Sequence, residues 1–468
     1  MAKLLDLPEE LLSFICEETD AESLFPLAIS CRVFNRLAGN RYLRHINYDR
    51  LSLDISDRGQ SRPWNPQELS FSTLHNVARI LGSLTNVSFI SVIFSTHAPV
   101  ALKQLKSIVL LLRRIQHGIR SIRVSFDRGL SGIGYHSKPC SVSLFNAAFK
   151  EFMQQVQRTR VKSLQIQGYV PLTKGRFGFR LSQNTYISDF QISDSFLLSD
   201  RCRGWLITFL NSSAIASLTA SNSDGWTAIL PKIQMPSLQR IVFSESWSIP
   251  RQGSKRVDID VLADFLNRHP ILYHVDCGNL STPIPTPRSR QCPPLTSITQ
   301  IKGTILQLCH FLSFSNVLPN LQRIEIDRQS SLNYALKKSE LWGLLAFLRK
   351  RSTLRTLTIP INLYRLRSDI LSGLKTPIRS MLPQVKSLEF LGFRDFPEQE
   401  TLNFLRWGQK VFPNVGILNV RYVEWSDERN SSFAQAVYTE WSSVKTLKIN
   451  STCTYVKTEN GAGEFRQQ

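Results

Sequence analysis

The sequence predicts an α/β protein in which a three-helix module, residues 1–50, precedes a long irregular array of helix–strand repeats, residues 51–450, and a short C-terminal tail, 451–468. Three observations lead there. An apolar-x-x-apolar-x-apolar phrase recurs along the chain, segments of helical period stand in front of several copies, and the charge changes sign near residue 50. The first 50 residues hold six Lys/Arg and eight Asp/Glu, net −2, which leaves 51 Lys/Arg and 28 Asp/Glu, net +23, for the other 418.

The N-terminal module reads as three short helices. Pro8 stands where a missing N–H costs little, Glu9 and Glu10 suit the positive end of a helix, and Leu11, Leu12, Ile15 and Cys16 form an apolar face. A second helix over about 22–31 offers Leu24, Leu27 and Ala28, and a third runs through Phe34 and Leu37 to Ala38. The set Leu7-Pro8, Glu10, Leu11, Ile15, Leu24, Leu27, Cys31-Arg32, Phe34 and Leu37 resembles the F-box motif over about residues 4–45, with Pro26 as a departure that would shorten the second helix. The resemblance implies docking to a Skp-family adaptor and, through it, to the cullin scaffold of a ubiquitin ligase. It places Leu7, Pro8, Leu11, Leu12, Ile15, Leu24, Leu27 and Phe34 at or behind that interface. Core packing is the competing role, above all for Cys31, Phe34 and Leu37, because a module this small must first fill its own interior.

Next come the repeats. The phrase is clearest in "LPNLQRIEI" (318–326), "RSTLRTLTI" (351–359), "LPQVKSLEF" (382–390), "FPNVGILNV" (412–420) and "WSSVKTLKI" (441–449), and earlier copies begin at Val87, Ile119, Val161, Leu238 and Leu272, with weaker ones at Ile215 and Leu295. Each is a short strand with alternate side chains inward and one more apolar anchor ahead of it. Helical segments supply the other half of a unit: Leu341, Leu344, Leu345 and Leu348 share one face, as do Ile259, Leu262, Phe265 and Leu266 ahead of Pro270. The array resembles leucine-rich repeats, so the expected fold is an N-terminal F-box module followed by an irregular leucine-rich-repeat-like solenoid. Only four of the eleven intervals fall within the usual 20–29 residues, and no consistent Asn or Cys marks the strand exit. Ordinary strands of an α/β domain give the same alternation. Gly-, Pro- and Ser-rich stretches at 127–140, 172–185, 244–256 and 279–294 read as bulging loops.

If the frame holds, the residues between the inward anchors line an exposed concave face: Arg123, Gln165, Thr219, Val242, Asp276, Thr299, Glu325, Thr358, Glu389, Asn419 and Lys448, with Arg240, His274, Arg323 and Arg421 beside them. In the leucine-rich-repeat reading this face captures a protein substrate. Its mixed signs argue against a reader of phosphate backbones, in spite of the net charge of +21.

Other functions lack sequence support. "GLSGIG" (129–134) is not the dinucleotide fingerprint, and neither a phosphate-binding P-loop nor a G-x-S-x-G elbow is present. The eight cysteines show no zinc-ligand spacing and suit reduced thiols, so no metal or cofactor is expected. Asp6, Glu9 and Glu10 interrupt the would-be apolar core of a signal peptide, and "SIVLLL" (107–112) is far too short to span a bilayer, so the expected location is cytoplasm or nucleus with no membrane partner. The combined expectation is a non-enzymatic substrate-recognition subunit of a Skp-cullin-F-box ligase. The alternative is a repeat scaffold, associated with nucleic acid or not, whose N-terminal helices merely cap the array. A receptor needs the Leu7–Ile15 face open, whereas a cap buries it on the first repeats.

Overall fold

The computed structural model describes residues 4–45, 52–56, 68–69, 88–95, 98–115, 119–126, 141–168, most of 170–181, 186–193, 196–221, 225–244, 259–278, 294–313, 317–327, 338–360, 381–391, 398–422, 425–450 and 453–457. They form a mixed α/β fold in two units, Met1–Ser221 with Lys232–Leu238 and Asn222–Pro231 with Gln239–Gln468.

Unit 1 opens with three helices, α1 (Glu9–Glu18), α2 (Ala21–Ser30) and α3 (Arg32–His45). Asp20 caps α2 by accepting the Ser23 N–H at 2.9 Å, and the Asn35 side-chain amide donates to the Ala28 carbonyl at 3.2 Å, tying α3 to α2. Pro26 forfeits one intrahelical bond, yet α2 continues to Ser30 because Leu24 and Ala28 remain locked in the interior. Leu12, Cys16, Leu24, Ala28, Phe34 and Ala38 make that small core.

The rest of unit 1 is a parallel sheet. Its strands are β1 (Ser52–Ser56), β2 (Glu68–Leu69), β3 (Phe89–Phe94), β4 (Ser121–Phe126), β5 (Ser163–Gly168), β6 (Asp189–Ser193) and β7 (Ser217–Ser221), laid down in the order β2-β1-β3-β4-β5-β6-β7. Helices α4 (Ala98–Arg114), α5 (Val142–Arg158) and α6 (Asp200–Asn211) alternate with them. Along β3, β4 and β5 every second residue is buried, so one sheet face carries the helices and the other stays open. Aromatic side chains seal the covered face: the Phe196 ring stands edge-on to Phe126 at 5.4 Å and to Phe145 at 5.3 Å, and Phe190 meets Phe209 at 5.1 Å.

Unit 2 repeats the plan with α7 (Gly225–Ile229), β8 (Arg240–Ser244), α8 (Ile259–Asn267), β9 (His274–Asp276), β10 (Gln300–Gly303), α9 (Ile305–Ser313), β11 (Arg323–Ile326), α10 (Lys338–Arg349), β12 (Thr356–Pro360), β13 (Ser387–Leu391), α11 (Glu398–Val411), β14 (Ile417–Arg421), α12 (Asp427–Glu440), β15 (Thr446–Ile449) and β16 (Cys453–Val456). Strands β8 to β15 are parallel and in chain order, and β16 pairs antiparallel with β15. Leu341, Leu344, Leu345 and Leu348 of α10 are buried, as their spacing predicts, and removing any one of them would cost about 2–5 kcal/mol. Gly168, the last residue of β5, and Gly278, two residues past β9, have positive φ (89° and 47°), and a Cβ there would sit 1.9 Å from the Phe126 carbonyl oxygen or 1.6 Å from that of Phe243. The chain thus turns off each strand directly against its neighbour, where only glycine fits.

The structure departs from the sequence reading in four places. Strand β6 carries a further copy of the frame at Ile187, Phe190 and Ile192, 26 residues after Val161 and 28 before Ile215. Strand β1 is a second addition to the strands the sequence predicts. At β10 the frame begins at Ile298, not Leu295: pairing puts Lys302 beside Asp276 and Glu325, so Lys302, and not Thr299, faces outward in that row. Residues 453–456, read as tail, form β16 and cover the edge of β15. Residues 127–140, 245–256 and 279–293 lie outside the described residues, so the loops expected there, including nearly all of 279–294, carry no structural account.

Candidate binding faces

Three surfaces gather the residues singled out in the sequence. On the N-terminal helices, Leu12, Leu24 and Phe34 are interior, so they stand behind any interface and not in it. Leu7, Ile15 and Leu27 are half-buried, Pro8 is exposed and Leu11 is 49% exposed. The structure adds Phe14, 58% exposed, and Leu4, 50% exposed. Leu11 and Phe14, three residues apart on α1, point outward while Leu12 and Cys16 on its inner side fill the core, and Leu4, Leu7 and Pro8 belong to the turn and extended residue that lead into the helix. The Arg36–Glu9 ion pair, 2.5 Å, braces α3 against the start of α1.

The open sheet face of unit 1 is mostly Ser, Thr and Gln, with Arg123 and Asp189 among its few charges. Arg123 lies in register with Gln165, Gln191 and Thr219, and the Gln167 amide donates to Ser125 Oγ at 2.8 Å while its carbonyl accepts from the Gln165 amide at 3.2 Å. A cavity of about 570 Å³ beside this unit lies between the start of α5 and the 173–180 segment, lined by Ser141, Ser143, Asn146, Lys150, Thr173 and Arg180. The helix end is already used internally there, since the Val142 N–H donates to Thr173 Oγ1 at 3.1 Å and Asn146 bonds both the N–H and the carbonyl of Gly178.

The open face of unit 2 is charged and tightly paired. Register places Asp276, Lys302, Glu325, Thr358, Glu389, Asn419 and Lys448 side by side on β9 to β15. Lys302 Nζ lies 3.3 Å from Asp276, 3.3 Å from Glu325 and 3.9 Å from Asp327. Burial alone would lower the Lys302 pKa, but the three carboxylates outweigh it and hold the ammonium above its ordinary value. Burial raises the pKa of Asp276, against the pull of Lys302 and of the Gly278 N–H that donates to it at 2.9 Å. His274, against Gln300 at 3.1 Å, is held below the usual imidazole range chiefly by burial, with Arg240 adding to the effect. Three strands further on, Glu389 is buried and shared: Thr358 Oγ1 donates to it at 3.0 Å, Arg421 lies 2.5 Å away and Arg323 3.8 Å. Thus Asp276, Glu325, Arg323, Glu389, Asn419 and Arg421 share one face of one unit with His274 and Arg240, and Lys302, absent from the sequence reading, is its central cation. Arg123 and Gln165 belong to the other unit.

Among the described residues no group of His, Cys, Asp and Glu is placed to hold a metal ion, and no helix is long and apolar enough to cross a membrane. No protein-family model and no curated protein matches the chain. Among solved structures, a Bacteroides fragilis protein is similar at 13% identity and TM-score 0.31, over 51% of this chain and 66% of that one. The TLR13 chain of a complex with ssRNA13 is similar at 11% identity and TM-score 0.31, over 78% of this chain and 45% of that one. In each case the matched region spans less than two thirds of the other protein.

Proposed function

We propose that this protein is the substrate-recognition subunit of a Skp-cullin-F-box type ubiquitin ligase: the N-terminal helices dock the adaptor, and the helix–strand array, read as an irregular leucine-rich-repeat-like solenoid, holds a protein substrate. Any bond-making belongs to the partners, and this chain contributes proximity. The observation that carries the docking half is the pair Leu11 and Phe14, exposed on α1, with exposed Leu4 and Pro8 just ahead of the helix, outside a module whose core is already filled by Leu12, Leu24, Ala28 and Phe34. The capping alternative would bury those residues on the first repeats. Support for the repeat half comes from strands that pair in chain order with a helix before most of them. The reading also gives the protein a cytoplasmic or nuclear place of work.

The test is a pull-down with purified Skp-family adaptor, comparing wild type with Leu11→Asp/Phe14→Asp after circular dichroism shows equal folding. Both side chains are exposed, so the double substitution should leave the melting temperature unchanged and reduce adaptor capture at least tenfold. Folded wild-type protein that captures no adaptor would overturn the reading in favour of the capping scaffold.

A further inference from the structure

We propose that the open face of unit 2 is a two-poled recognition surface, on which Arg323 and Arg421 receive an anionic side chain of an extended protein segment and the Asp276–Glu325–Asp327 group receives a cationic one. This deepens the substrate-binding half of the reading above and rests on that half alone.

The positive pole is built around Glu389. Its carboxylate is buried, accepts a hydrogen bond from Thr358 at one oxygen, and lies within ion-pair distance of two guanidinium groups, one from β11 and one from β14. One carboxylate neutralises one cation, so the pole keeps an excess positive charge, to which Lys448 on β15 adds. Arg323 and Arg421 are 44% and 47% exposed, and each has five N–H donors, so donors remain free for a partner after Glu389 is bound. Because Glu389 draws Arg421, and more weakly Arg323, toward one point, a ligand carboxylate or phosphate would meet guanidinium groups already brought together, with part of their ordering entropy spent in advance.

The negative pole has the opposite arithmetic. Among the described residues, the Lys302 ammonium lies within ion-pair distance of Asp276, Glu325 and Asp327, with Arg240 on the outer flank at β8. Three strand intervals separate Lys302 on β10 from Glu389 on β13, roughly 14 Å at the usual strand spacing. An extended segment lying across the strands covers that in about four residues. The occupant is therefore a protein segment with acidic and basic side chains about four positions apart. Uniform polyanions meet three carboxylates at one end, which disfavours nucleic acid. The polarity is not a general property of the repeats, since the corresponding face of unit 1 is largely Ser, Thr and Gln.

The experiment selects a displayed library of random 12-residue peptides on the immobilised full chain, then measures the enriched peptides by fluorescence anisotropy. Enriched sequences should carry an acid and a base three to five positions apart, in either order, above their input frequency. Replacing the acid by Ser should weaken binding at least tenfold on wild type and have no effect on Arg421→Glu, while phosphoserine in its place separates phosphate from carboxylate recognition. Arg323→Gln serves as a milder second variant, expected to weaken binding several-fold, and both variants should capture adaptor like wild type, which separates failure here from failure of the docking reading. No enrichment, an enriched charge pattern no different from the input, or equal binding to Arg421→Glu overturns the proposal. So does tighter binding of a single-stranded 12-nucleotide DNA than of the best peptide.

Discussion

Replacing Lys302 with Met removes the cation that three carboxylates share. Asp276 and Glu325 both lie 3.3 Å from its Nζ, so their oxygens are at most about 6.6 Å apart. At an effective dielectric of about 20, their mutual repulsion at that separation is about 2.5 kcal/mol, and each lost attraction is of order 5 kcal/mol before the relief of desolvating the ammonium is counted. All four side chains keep some solvent contact, so the expected net loss at pH 7.5 is about 2–3 kcal/mol. The sign of the pH dependence is diagnostic. Asp276, already raised by burial, rises further once Lys302 is gone, so the folded variant binds more protons than the unfolded chain, and its stability grows as pH falls through the raised pKa toward the unfolded value near 4. Urea unfolding at pH 7.5 and pH 5, with hydrogen exchange followed on β9 to β11, should show the deficit shrinking by at least half at the lower pH. An equal deficit at both values, or none at pH 7.5, would refute the electrostatic account.

Two further outcomes follow from local geometry. Gly278→Ala forces a Cβ against the Phe243 carbonyl at positive φ and should destabilise unit 2 by at least about 2 kcal/mol, read as a lower urea midpoint, whereas Gly343→Ala, in the middle of α10 where an added Cβ meets nothing within 4 Å, should be neutral or slightly stabilising. His269 is buried, with the ring at 2.7 Å from the Phe265 carbonyl, and burial depresses its pKa, so its stabilising effect is complete above the unfolded value near 6.5 and is lost as pH falls through the lower folded value. The melting temperature of wild type should therefore drop between pH 7.5 and 5.5 by more than that of His269→Asn; equal drops would exclude His269 as the cause.

The alternation of helix and strand was legible because burial imposes its own period on the sequence, as the four leucines of α10 show. What escaped depends on partners distant in the chain. Two anchors three residues apart, Leu295 and Ile298, offer rival frames, and only pairing with β9 and β11 decides between them. Strand β6 follows a segment without helical period, so its frame, though complete, lacked the flanking signal that marked the others. The clasp of Arg323 and Arg421 on Glu389 joins three different strands, and nothing near each residue announces the others. On α1 the apolar residues outnumber what one face can bury, and sequence alone does not say that Leu12 turns inward while Leu11 and Phe14 turn out.

The pairing of strands in chain order has a consequence for how the protein is made. Within each unit a new strand docks on one that was synthesised before it, and closes only a short loop to do so. Such a chain can fold from its leading end while the remainder is still on the ribosome, at the roughly 5–20 residues per second of synthesis. Helices α1 to α3 precede unit 2 in the sequence, so they are complete before its charged face exists. Under the proposed function, a nascent chain would be able to engage an adaptor before it can hold a substrate, and translation would then set the order of assembly.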